Sequence, residues 1–165
     1  MKSFWSVLMV MFLASGALLA QQETTAKKND VIVPSWAKTT KSGEPVFENP
    51  MEMPRFPGCE ELEMDKRYPC SINKLVDFVS DNLKYPASAK EQKIEGTVMV
   101  EFIVDRRGNV IEPKVTKSVS ASLDAEALRV IKAMPRWIPA REEGTIVNSL
   151  MNFPIKFQLG ETTDR

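Results

Sequence analysis

Side chains able to do chemistry are sparse in this 165-residue chain, and histidine is absent altogether. That removes the commonest general base, the commonest zinc ligand and the usual sensor of mild acid. Three fragments invite a nucleophilic reading. Ser35-Trp36-Ala37-Lys38 fits an S-x-x-K pattern, in which a lysine activates a serine, and Ser80-Asp81-Asn82 and Lys41-Ser42-Gly43 resemble the two motifs that accompany it. Their order is wrong, the first and third stand three residues apart in a polar stretch, and the chain is too short for such a catalytic fold, so the matches are chance. The carboxylates Glu60, Glu61, Glu63 and Asp65 lack the spacing of a calcium loop and read as a solvated face. The chain is therefore expected to be no enzyme, and to need neither cofactor nor metal.

The remaining chemistry belongs to Cys59 and Cys70, and compartment decides how they are read. Residues 1–20 carry one charge at Lys2, an apolar run over 4–13, then small residues Ala14, Ser15, Gly16 and Ala17 leading to Ala20. They read as a signal peptide or, because the apolar stretch is near the roughly 17-residue lower limit for spanning a bilayer, a short membrane anchor. In an oxidising compartment the cysteines are most simply a disulfide, which stabilises by about 2–4 kcal/mol, mainly through restriction of the unfolded chain. Lys plus Arg and Asp plus Glu both number 22. That balance argues against nucleic acid or an anionic membrane as the main partner.

Residues 21–54 are polar and interrupted by Pro34, Pro45 and Pro50, so they read as a flexible linker. Val46 and Phe47 are among the few apolar marks in it, candidates for docking but too few for a core. Residues 55–84 read as a disulfide-stapled loop and a helix. In that helix Ile72, Leu75, Val76, Val79 and Leu83 form one face over 71–83, with Ser71 as N-cap. Tyr85-Pro86 ends that helix, and a shorter one is expected over 87–92. Val98, Val100, Phe102 and Val104 alternate along a strand, Asp105-Arg106-Arg107-Gly108-Asn109 signals a turn, and 110–118 pairs back as an edge or bulged strand containing Pro113. Ser120 or Ser122 caps a further helix with the face Leu123, Ala127, Leu128, Ile131 and Met134, stopped by Pro135. A last strand alternates through Val147, Ser149, Met151, Phe153, Ile155, Phe157 and Leu159. Pro154, in its opposite row, cannot donate to a ladder, which marks this strand as an edge open to addition of another chain.

The run Tyr85-Pro86-Ala87-Ser88-Ala89-Lys90, then Glu95-Gly96-Thr97-Val98 and Asp105-Arg106-Arg107-Gly108-Asn109-Val110, resembles the C-terminal domain of the TonB energy-transducer family. So do Ser122-Leu123-Asp124-Ala125-Glu126-Ala127-Leu128, Met134-Pro135-Arg136-Trp137-Ile138-Pro139-Ala140 and Phe153-Pro154-Ile155-Lys156-Phe157. Order and spacing over about 75 residues make the match specific, and the stapled segment is similar to one found in Bacteroidetes-type members. The resemblance implies an α+β domain over 85–160, with two helices on a three-stranded antiparallel sheet, beside the extra N-terminal helix and the stapled loop.

It also implies a periplasmic module that contacts outer-membrane TonB-dependent transporters, or another envelope protein, by strand addition, with support of energy-coupled uptake as a further role. The partner-binding strand would be Val147, Ser149, Leu150, Met151, Asn152, Phe153, Pro154, Ile155, Lys156 and Phe157. Tyr85 and Pro86 stand in a family motif, although helix termination and an aromatic plug also account for them. A linker of 21–54 reaches about 110 Å at roughly 3.3 Å per residue, short for crossing a periplasm, and the membrane-helix histidine of full transducers is absent. Engagement of an inner-membrane motor complex is left open. The competing reading is a structural or regulatory envelope protein that uses the same edge for homodimerisation or covers it with its own linker.

Overall fold

A computed structural model describes residues 38–159; the signal or anchor segment, Trp36 and the apolar marks at 31–33 lie outside them. In chain order the elements are β1 (Val46–Phe47), α1 (Met64–Asn82), α2 (Ala87–Glu91), β2 (Gly96–Val104), β3 (Val110–Lys117), α3 (Ala121–Lys132), β4 (Ala140–Glu142) and β5 (Thr145–Phe157). The strands are ordered β1-β5-β2-β3, with β4 paired to the start of β5. β2 is antiparallel to both β3 and β5, whereas β1 runs parallel to β5.

The α+β class stands, but the three-stranded antiparallel sheet is corrected to a mixed, larger one. Both added strands, β1 and β4, are too short for periodicity to reveal. β1 comes from the stretch read as flexible linker, of which residues 38–54 instead lie in the fold. The reason is long-range packing: Val46 is buried with Ile103 and Leu150 on the sheet face opposite the helices, and the segment is closed by a Thr39–Pro45 bridge.

On the other face Val98, Val100, Phe102 and Val104 from β2, with Ile155 and Phe157 from β5, meet Leu75 and Val79 of α1 and Leu123, Ala127, Val130 and Ile131 of α3. The alternation in β2 and β5 is what puts these residues on one side. Phe56 packs edge-on to Trp137 with ring centres 5.5 Å apart, and Trp137 in turn meets Phe102 at 5.8 Å. The loop before α1 is thereby fastened to the sheet.

Helix α1 begins at Met64, before both Pro69 and Cys70, not at Ser71. Pro69 is the sixth residue of the helix, so α1 runs through a proline and forgoes the one i→i−4 bond that an N–H there would have made. Ser71 is buried inside the helix instead of capping it. Cys59 and Cys70 are joined, with Cα atoms 6.1 Å apart, so the disulfide ties the preceding loop to the second turn of α1. Ser120 is the N-cap of α3 and accepts the Leu123 N–H. The open or bulged character expected of β3 is present in both forms: β3 is the sheet's far edge, and its pairing with β2 shifts register twice.

Candidate functional site

The last strand is launched by a tight hairpin. Glu143 and Gly144 both have positive φ, 47° and 77°, the geometry that reverses a chain between Glu142 and its partner Thr145 with the twist of flanking strands. From there β5 changes neighbours along its length. Its first three residues pair with β4, Asn148 and Ser149 pair with Val46 and Phe47 of β1, and residues 149–157 pair with β2 in unbroken register. Past Ser149, the side of β5 turned away from β2 has no strand beside it among the described residues.

Pro154 sits within that unbroken ladder, opposite Met99. A proline is tolerated there when its nitrogen faces away from the neighbouring strand. Asn152 and Lys156 share its parity, and all three side chains are exposed. Ile155 and Phe157 enter the main core, and Met151 and Phe153 are half-buried against it. Val147 and Ser149 are buried as well; the Ser149 hydroxyl has no hydrogen-bond partner among the described residues. Leu150 departs from its exposed row: it is covered by Val46.

Tyr85 stands at the far end of the same strand. Its ring meets Phe157 edge-on at 5.8 Å and its hydroxyl donates to the Ile94 carbonyl, while Pro86 is the N-cap of α2. Both have structural occupations that account for their residue types.

Asn148, absent from the strand's predicted contact set, is the residue that sequence reasoning missed. It is 3% exposed. Its Nδ2 donates to the Pro45 carbonyl at 3.1 Å and to Glu44 at 3.3 Å, and its Oδ1 accepts the Arg106 N–H at 3.1 Å. An isolated buried asparagine in a strand is the only sequence signal for such a clamp, and it requires knowledge of burial. Arg106 also pairs with Glu44. Lys38 lies 2.9 Å from Glu48 and 3.7 Å from Glu101. Its ammonium is held above the usual lysine range chiefly by the Glu48 hydrogen bond, against the opposing effect of burial. Glu101 is the better-buried carboxylate and also meets Lys114 at 2.7 Å.

Among the described residues no three His, Cys, Asp or Glu side chains converge as metal ligands, and no helix is long and apolar enough to cross a membrane. What the geometry offers is a length of unpaired strand edge, flanked on one side by the chain's own β1.

Residues 81–159 match the family model described as Gram-negative bacterial TonB protein C-terminal. Protein TonB of Vibrio cholerae is 36% identical over 77 residues, 46% of this chain and 31% of that protein. Protein TonB of Helicobacter pylori is 32% identical over 91 residues, 54% of this chain and 30% of that protein. The chain thus spans about a third of the length of these curated relatives. An NMR solution structure of the Helicobacter pylori TonB C-terminal domain is 26% identical with a TM-score of 0.43, covering 55% of this chain and 82% of that one. The family so matched is not enzymatic.

Proposed function

From the match of residues 81–159 to the TonB C-terminal family model we propose that this domain binds an extended segment of a TonB-dependent outer-membrane transporter in the periplasm, by adding it as a strand along residues 150–157 of β5. One observation carries the proposal: β5 is regularly paired on its inner side, yet among the described residues unpaired on its outer side past Ser149. Main-chain donors and acceptors along such an edge supply affinity, and alternate side chains supply selectivity.

The sheet's other edge is poorly suited to the same role. β3 contains Pro113, holds Glu112 at φ 51°, shifts register twice against β2 and presents exposed Lys114 and Lys117. Bulges, prolines and lysines are devices that keep an edge from pairing. On β5 only Pro154 and Lys156 play that part, and Pro154 removes a single donor. The binding role rests on residues 38–159 alone; coupling to a motor would need residues 1–20 to be retained as an anchor.

Replacing Asn152 or Lys156 with proline tests the idea, because each shares the parity of Pro154. Binding of synthetic peptides from the periplasmic N-terminal segments of TonB-dependent transporters should weaken at least tenfold, with circular dichroism and melting close to those of the unmodified protein. Unchanged peptide affinity in a folded variant overturns strand addition on this edge.

A further inference from the structure

The edge assigned to the partner begins where a strand of the protein's own ends. β1 lies beside Asn148 and Ser149, and its chain then bends away at Glu48 and Asn49 to bridge Arg141 through Glu52. We infer that this strap, residues 38–47, is a fixed end-stop: it limits an added strand to residues 150–157 and so sets where along β5 the partner can register. The inference rests on the strand-addition reading above and specifies the length of partner that the site accepts.

Three independent holds argue that the strap stays seated. Val46 is 6% exposed, packed on Ile103 and Leu150, so displacing it would return an apolar side chain to water and uncover two more. Asn148 is fully engaged with the strap on one side and Arg106 on the other; withdrawal of β1 would leave a buried amide unpaired, which is costlier than losing a solvent-facing hydrogen bond. Finally, the Val46 N–H donates to the Lys38 carbonyl at 2.9 Å and the Lys41 N–H to Glu112 at 2.7 Å, so the strap is folded on itself and tied to β3 as well. A two-residue strand is a weak competitor by its ladder bonds alone. It is the side chains that fix it.

The consequence for a partner is a segment of about eight extended residues at most, since each strand residue advances roughly 3.3 Å. A longer segment must leave the edge at Leu150 or push the strap off.

Amide hydrogen exchange on the full chain, with and without a twelve-residue synthetic peptide from a transporter's periplasmic N-terminus, reads this directly. Protection should rise within residues 150–157 while the Lys41 amide, which donates to Glu112 of β3, keeps the protection it has in the free protein. Loss of protection at Lys41 on peptide binding means that the strap is displaced, and overturns the end-stop while sparing strand addition. Binding with no gain of protection on β5 overturns strand addition itself, as does failure to bind any such peptide. In Val46→Asp the footprint should extend to Asn148 and Ser149 and the affinity for the twelve-residue peptide should rise roughly five- to tenfold. Asn148→Ala gives the same readout should Val46→Asp not fold. A footprint that remains confined to 150–157 in a folded variant overturns the end-stop.

Discussion

At the scale of single residues, the turn between β2 and β3 shows how a short polar run is made obligatory. Asp105 Oδ1 accepts the N–H groups of Arg107 and Asn109, both at 2.8 Å, and its Oδ2 accepts Asn109 Nδ2 at 2.9 Å. Gly108 has φ 83°, and a Cβ there would sit 2.0 Å from the Trp137 carbonyl oxygen. The turn was legible in the sequence as a turn; its second purpose, docking Trp137 through the Trp137 N–H to Gly108 carbonyl bond, was not, since nothing local links residues so far apart. Burial pushes the Asp105 carboxyl up, but its three hydrogen bonds outweigh that and hold it below the usual carboxylate range. A carboxyl depressed on folding contributes stability that is present above its unfolded pKa, near 3.9, and is lost as pH falls through the lower folded value. Asp105→Ala should therefore cost about 1–3 kcal/mol at pH 7 by loss of these bonds. The gap in urea midpoint between the two proteins should narrow below about pH 4. A gap that stays constant down to pH 2 would show that ionisation of Asp105 plays no part.

Among the elements, α1 is the one whose limits and fastening most differ from what periodicity suggests. Leu75 and Val79 announced its inner face correctly, but the apolar stripe marked a start at Ser71, whereas the helix begins at Met64 and is fastened by the disulfide and the Phe56–Phe78 contact at 5.4 Å. Ile72 and Val76, read as part of the buried stripe, are instead 36% and 48% exposed. The apolar stripe drifts around the helix, so residues one position from the buried row fall at its rim. β1 and β4 escaped notice for a different reason: strands of two and three residues carry no period and exist by long-range pairing. With Cys59 and Cys70 both replaced by serine, the stability measured in urea should fall by about 2–4 kcal/mol, and addition of reductant to the unmodified protein should reproduce most of that loss. Peptide binding at 150–157 should be unaffected, because the staple touches α1 and its loop and not β5. A double variant that folds normally but no longer binds peptide would place the stapled segment in the interface.

For the molecule as a whole the question is what becomes of two sheet edges. The alternation of β5 and the presence of Pro154 made one of them visible in the sequence, as a strand with a polar outer row. Invisible was its division into a part covered by the chain itself and a part left free, since that depends on Val46 meeting Ile103 and Leu150, residues far along the chain. The division bears on self-association. Two copies pairing β5 to β5 across a two-fold axis would need matched free lengths on both; among the described residues each copy offers only residues 150–157, interrupted by Pro154. The β3 edge is guarded by Pro113, Lys114 and Lys117. In a β5-to-β5 pair each copy's Pro154 removes a ladder donor, so a dimer loses two such bonds where a proline-free peptide strand loses one. The protein should therefore elute as a monomer in size-exclusion chromatography from micromolar to near-millimolar concentration, and a transporter peptide should bind with one peptide per chain. A shift toward twice the mass with rising concentration, abolished by Asn152→Pro, would give the edge to self-pairing instead and turn peptide binding into competition with a dimer.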